Sequence, residues 1–116
     1  MKKIEITFKG KTETYAYKNN VNYEKAVKFC EKKGGTLPTR WFLWEYDHDQ
    51  GKYRWELLGE KLKKVEDENF LWACTSDEYG SCCVWFVDLN IGITIDFHRN
   101  HAQSNHYALC TPALTL

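Results

Sequence analysis

The apolar residues of this chain change their spacing several times, and each change predicts an element. "KIEITF" alternates Ile4, Ile6 and Phe8 with polar neighbours, the period of a half-buried strand. "KGKT" interrupts the alternation and "TYAY" resumes it, which predicts a β-hairpin. After "KNNVN" the period lengthens. Tyr23, Ala26, Val27 and Cys30 stand at i, i+3, i+4 and i+7, Asn22 is placed to cap the helix they form, and Gly34 with Gly35 ends it. Thr39 in "LPTR" is a second N-cap, followed by a short aromatic helix from Trp41 to Tyr46 that fades into "DHDQG". From Tyr53 to Val65, Trp55, Leu58 and Leu62 recur at helical spacing beside the charged "EKLKKVEDE", a pattern that fits either helix or loop.

"FLWACTS", "CVWFVDL" and "ITIDFH" then follow closely, separated by "DEYGS" and "NIG", and each is rich in β-branched or aromatic residues. They predict an antiparallel meander. "HYALCT" returns as a last strand, which Pro112 keeps from continuing deep into a sheet. Strands, two helices and a meander make an α+β layout with helices segregated from the sheet, in a single domain spanning 1–116. Between the last two strands sits "HRNHAQSNH", which holds three of the four histidines and no large apolar side chain.

Composition narrows the function classes. An apolar fraction of 43% and an aromatic fraction of 16% are ample for a core. Basic and acidic residues balance at 16 each, so the chain has no net field to draw in nucleic acid or an anionic membrane. The first residues carry two lysines but no apolar stretch of signal-peptide length, and no run reaches transmembrane length. The expected location is therefore the cytoplasm of the producing cell, or a virion after lysis. The five cysteines, Cys30, Cys74, Cys82, Cys83 and Cys110, lack the paired spacing of a zinc site. Their ordinary reading is buried free thiols.

Three constellations bear on chemistry. His98, His101 and His106 are of the residue type that most often binds metals, with Asp96 the only acidic residue close by, but a solvated loop uses His and Asn equally well for polar contacts. Without a carboxylate or thiolate at recognised spacing, no metal and no cofactor are expected. "YDHDQG", Tyr46 to Gly51, lacks the further acidic positions of a calcium loop. Cys82 and Cys83 raise a nucleophile, but neighbours on a strand point to opposite faces and no Lys or Arg flanks them to lower a thiol pKa. Catalysis is not expected. Of the five tryptophans, Trp72 and Trp85 are expected in the core, and Trp41, Trp44 and Trp55 are open between core and a stacking surface.

The segment "NYEKAVKFCEKKGGTLPTRWFLWEY" resembles the C-type-lectin-like superfamily, where a helix reading A-x-x-[FY]-C is followed by glycines, L-P-T and a short aromatic-acidic helix. It is also similar to formylglycine-generating-enzyme-like proteins. The later stretch "FLWACTSDEYGSCCVWFVDLNIGITIDFHRNHAQSNHYALC" resembles the end of a related bacterial and phage family of unknown function, and of the C-terminal domain of a collagen-like adhesin. The resemblance spans roughly residues 22 to 111. It implies paired first and last strands, here 4–8 with 107–111, two flanking helices, and a meander that carries a loop-rich binding surface. It further implies that Cys30 and Cys110 are close: a disulfide in secreted members, packed thiols in a reducing cytosol. The E-P-N, Q-P-D and W-N-D calcium motifs of sugar-binding members are missing, so binding is expected to be calcium-independent. Only Cys110 stands where the formylglycine-generating enzymes keep a pair of cysteines.

Together these features predict a non-enzymatic recognition module of phage or bacterial origin, binding a protein partner first and a glycan second. The expected ligand surface joins the loops around 76–82 and 98–106 through Tyr79, His98, Arg99, Asn100, His101, Gln103, Asn105 and His106. The alternative is a phage-encoded inhibitor or virion accessory protein that docks a host or capsid protein with the same scaffold.

Overall fold

The computed structural model describes residues 2–112. Eight strands and three helices follow the chain as β1 (Lys3–Phe8), β2 (Lys11–Asn19), α1 (Tyr23–Lys32), α2 (Arg40–Leu43), β3 (Tyr46–Asp47), β4 (Lys52–Tyr53), α3 (Arg54–Glu66), β5 (Trp72–Tyr79), β6 (Cys83–Asp88), β7 (Thr94–His98) and β8 (His106–Cys110). Six strands form one open sheet in the order β1-β2-β8-β5-β6-β7, with β3 and β4 as a small separate ribbon. All pairings in the main sheet are antiparallel except β5 with β8. The class is α+β, as expected. Among the described residues no helix is long and apolar enough to cross a membrane.

The N-terminal strand does not pair with the C-terminal one. Lys9 and Gly10 both take positive φ, 49° and 78°, the geometry of a tight two-residue hairpin turn. β1 is thereby folded onto β2 along its whole length, from Lys3 opposite Ala16 to Phe8 opposite Lys11. The far end of β2, Ala16 to Asn19, takes β8 instead. β1 is left at the sheet edge, two places from β8. The meander of β5, β6 and β7 forms as expected, but β8 returns across it to pair beside β5.

Helices cover both faces. Ile4, Ile6, Phe8, Tyr15, Tyr17, Tyr107 and Leu109 meet Leu43 and the α3 residues Trp55, Leu57, Leu58 and Leu62 on one side. Val84, Phe86, Ala108 and Cys110 meet Ala26 and Cys30 of α1 on the other. The ambiguous 53–65 stretch is thus a helix of 13 residues, started by the Glu56 carboxylate accepting the Tyr53 N–H at 2.9 Å. The first two caps are placed as read: Asn22 accepts from Lys25 N–H at 2.9 Å and Thr39 from Phe42 N–H at 3.1 Å. α2 ends at Leu43, sooner than expected, because Tyr46 and Asp47 enter the ribbon with Tyr53 and Lys52.

Cys30 is bonded to Cys110, their Cα atoms 5.2 Å apart, and Cys82 to Cys83. Free thiols are therefore the wrong reading for four of the five; only Cys74 is free, and burial pushes its thiol up to about 12. The first bridge closes a separation of 80 residues, a constraint of about 4 kcal/mol on the unfolded chain in the loop-entropy account. The tryptophan expectation holds in part. Trp55, left open, is in the core, while Trp72 and Trp85 are only half-buried, Trp72 against the α1-side cluster and Trp85 under the Arg40 guanidinium.

A buried cation ties the hairpin to the helices. Arg54 at the start of α3 is 4% exposed, with its guanidinium 3.9 Å from the centre of the Phe8 ring and 3.8 Å from that of Phe42. It donates to both oxygens of Glu13 at 2.9 Å, to the Phe42 carbonyl at 2.7 Å, and pairs with Glu45 at 3.0 Å. Burial alone would lower its pKa, and the contacts with Glu13 and Glu45 outweigh that and raise it. Arg54→Ala should leave Glu13 unpaired and cost about 3–5 kcal/mol, read as a melting temperature lower by more than about 10 °C. Arg54→Lys should recover only a minor part, because an ammonium has neither the fork nor the stacking plane. A loss below about 3 °C in the alanine variant would contradict this role.

Candidate functional site

The polar segment between β7 and β8 is long for a geometric reason. β7 ends level with Cys83, whereas β8 starts level with Trp72, which is opposite Asp88. The chain must therefore cross β6 and β5 sideways, about 14 Å at the usual strand spacing, while travelling back about 17 Å along them. The diagonal is about 22 Å, and the eight steps from His98 to His106 reach at most about 28 Å. Little slack remains. Residues 99–105 are a strap over the sheet rather than a projecting loop.

The strap is fastened along its course. Arg99 donates its N–H to the Cys82 carbonyl at 3.0 Å and its Nε to that of Ser81 at 3.1 Å, pairs with Glu78 at 3.2 Å, and accepts the Tyr23 N–H at 3.2 Å. His98 is exposed, and its Nδ1 accepts the Asn100 N–H at 3.2 Å. His101 lies flat on Phe97, ring centres 5.0 Å apart with planes 3° from parallel. The Gln103 carbonyl accepts from His106 N–H at 2.9 Å, and that of Asn105 from Trp72 N–H at 2.9 Å. The side chains of Asn100 and Gln103 are exposed, and Asn105 is half-buried.

His106 does not belong to any binding surface. It is fully buried, with ring centres 4.5 Å from Phe86, 4.6 Å from Phe97 and 5.2 Å from His101. Its place on β8, next to Ala108 and Cys110 on the α1 face, puts it inside the core. Neither ring nitrogen has a hydrogen-bond partner among the described residues. Burial first, and the charge His101 can carry second, lower its pKa to about 4. Tyr79, His98, Arg99 and Asn100 do come together at one end of the sheet, where Tyr79 and His98 both pair with Cys83. Gln103 and Asn105 lie toward the opposite end. The eight residues form no single site. Among the described residues no group of three or more His, Cys, Asp or Glu is placed to hold a metal ion.

A different surface stands out on the face that α3 covers only in part. Trp41 is 83% exposed and Trp44 38%. Trp44 sits against Tyr53 at 4.9 Å and Trp55 at 5.5 Å, so its ring is held from behind. The β6–β7 turn comes close enough that a Cβ on Gly92 would stand 2.6 Å from Trp55 and 2.8 Å from Trp44. Arg40 stands beside Trp41 and Trp44, and its N–H and Nε both reach Asp77, at 2.6 and 3.4 Å. Its guanidinium lies 4.7 Å from the Trp85 ring, and Tyr79 meets the far side of the row at 4.9 Å from Trp85. The result is a strip, Tyr79, Trp85, Arg40, Trp41, Trp44, with a groove of about 420 Å³ at Arg40, Trp41 and Trp44, and another of about 380 Å³ at Trp44, Ile91, Gly92, Ile93 and Thr94.

Of this strip Tyr79 is among the expected ligand residues, and Trp41 and Trp44 are two of the three tryptophans left open between core and a stacking surface. The signal for their exposure was present: Trp41 on a helix of four residues and Trp44 at its C-cap, three positions on, are more aromatic surface than so short an element can bury. No protein-family model, curated protein or solved structure matches the chain.

The buried imidazole has a measurable consequence. An unfolded chain binds a proton at this histidine near its ordinary pKa of 6.5, whereas the folded one resists until about 4. Its effect on stability is therefore absent above the higher value and grows unfavourable as pH falls through that window, by up to about 3 kcal/mol. His106→Leu should flatten the dependence of the melting temperature on pH between those values and melt no lower than wild type at pH 7, since no hydrogen bond is lost. An unchanged acid slope in this variant would assign the effect elsewhere.

Proposed function

We propose that this chain is a non-enzymatic recognition module that docks a protein partner on the aromatic strip of Tyr79, Trp85, Arg40, Trp41 and Trp44. The observation that carries the reading is Trp41, exposed to 83% beside side chains already fixed in place. An isolated apolar residue at a surface needs no explanation, but a contiguous row with indentations on either side of Trp44 does. Trp, Tyr and Arg dominate the energetics of protein interfaces. Here Arg40 is pinned by Asp77 and Trp85, and Trp44 by Tyr53 and Trp55, so little side-chain entropy is lost on binding.

His98 at the end of β7 and Asn100 at the start of the strap, both exposed, lie at the Tyr79 end of this surface and supply a polar rim. A C-type-lectin-like scaffold is supported by the bridge between the first helix and the last strand, by the α+β layout and by the meander. The position of β1 beside β2 rather than β8 is the feature that departs from it.

Trp41→Ala removes little packing, so it should shift stability by no more than about 0.5 kcal/mol. Loss of a central anchor should weaken partner binding by at least about tenfold. The measurement is quantitative capture from host lysate, with a glycan array run beside it, for wild type, Trp41→Ala and Gln103→Ala. Capture lost in the tryptophan variant and kept in the glutamine variant supports the strip. A Trp41-dependent signal on the array and none in the lysate makes the ligand a sugar. Equal capture by both variants removes the strip from the interface.

A further inference from the structure

β7 is an outer strand of the sheet. Arg99 N–H bonds to the Cys82 carbonyl at 3.0 Å and Asp88 N–H to the Ile93 carbonyl at 2.8 Å, which fixes the parity of the ladder. Residues 93, 95, 97 and 99 direct their backbone groups at β6, so Thr94 and Asp96 direct theirs outward. None of the described residues bonds them.

The two edges of the sheet are not alike. The outward side chains of β1 are Lys3, Glu5 and Thr7, polar and charged in the usual manner of a protected edge. β7 and the stretch leading into it expose Ile91 at 58%, Ile93 at 52% and Ile95 at 39%. It contains no proline, no lysine and no bulge, because the irregularity of the sheet lies between Cys74 and Glu78.

We infer that this edge pairs antiparallel with the same edge of a second copy, across a two-fold axis at Ile95. Of the registers centred on Ile95, Asp96 and Phe97, the residues favour the first. Centred on Ile95, Thr94 stands opposite the second copy's Asp96, hydroxyl to carboxylate, and Ile93 opposite its Phe97, with both relations repeated by symmetry. The outward groups of Thr94 and Asp96 then exchange backbone hydrogen bonds, and the exposed isoleucines at 93 and 95 are covered. Centring on Asp96 would set two carboxylates face to face, which opposes pairing. Centring on Phe97 would require Arg99, already committed to Ser81, Cys82, Glu78 and Tyr23. A self-complementary patch is what a two-fold interface demands, and Ile-Thr-Ile-Asp-Phe meets that demand. The contact joins two six-stranded sheets into one along their edges, and because Ile93 and Thr94 also line the smaller groove beside Trp44, the two interfaces adjoin there.

The test is the mass of the full chain in solution. Sedimentation equilibrium should show a dimer at about 200 µM that dissociates on dilution. Thr94→Asp places a carboxylate opposite each Asp96 and should weaken the dimer by about tenfold or more, and Thr94→Lys should strengthen it. Both changes are at a half-exposed edge position, so neither depends on repacking the core. Under mild oxidation Ile95→Cys should link to itself across the axis faster than Asp96→Cys. A wild-type chain that is monomeric throughout overturns the inference, as does a dimer indifferent to the Thr94 variants. Faster linking of Asp96→Cys overturns the register.

Discussion

The clamp on Arg54 is the constraint on which the architecture depends. The hairpin of β1 and β2 supplies Phe8 and Glu13, α2 supplies Phe42, and the guanidinium comes from the first residue of α3. The hairpin and two helices thus converge on one planar cation. The Tyr15 hydroxyl adds a 2.6 Å hydrogen bond to the same Glu13, and burial, reinforced by that bond, raises its pKa well above the ordinary range. A charge this deep is tolerated only when every donor is used and both faces are covered. Moving α3 away would strip all of these at once, so the helix orientation is fixed by polar geometry and the hydrophobic residues fill in around it.

That arrangement places the recognition strip. Because Arg54 draws the Phe42 carbonyl toward α3, α2 lies flat on the sheet, with Leu43 buried and Trp41 turned outward. Trp44, just past the helix, falls against Tyr53 and Trp55, the residues on either side of Arg54. The exposed tryptophans are therefore held by the same device that anchors the helices, a rigid mounting of the kind binding surfaces need.

Local periodicity carried much of the fold. The hairpin, the capped α1 and the β5–β7 meander are elements whose signals lie within a dozen residues, and each is where its pattern placed it. α3 was harder to read because Gly59 interrupts its middle, and the structure shows why glycine is there: a Cβ would collide with the Leu89 carbonyl oxygen. The order of strands was not legible. Nothing local distinguishes a β8 that pairs with β2 and β5 from one that extends the meander, since the choice rests on a crossover. The same non-local cause misplaced the site. A stretch of His, Asn and Gln reads as a recognition loop when its ends are taken to be neighbours, and as a strap once they are known to be about 22 Å apart.

The two sides of the sheet are held unequally. The α3 side gathers sixteen buried residues into its core, the α1 side nine. α1 itself fully buries only Ala26 and Cys30, with Tyr23, Val27 and Phe29 half-buried against the same cluster. The Cys30–Cys110 bridge compensates by fixing the helix to β8, and the strap adds a bond from Arg99 to the first residue of α1. This lighter side is also where His106 sits without partners. The division of labour leaves the α3 side rigid enough to present the strip, and the α1 side dependent on its bridge.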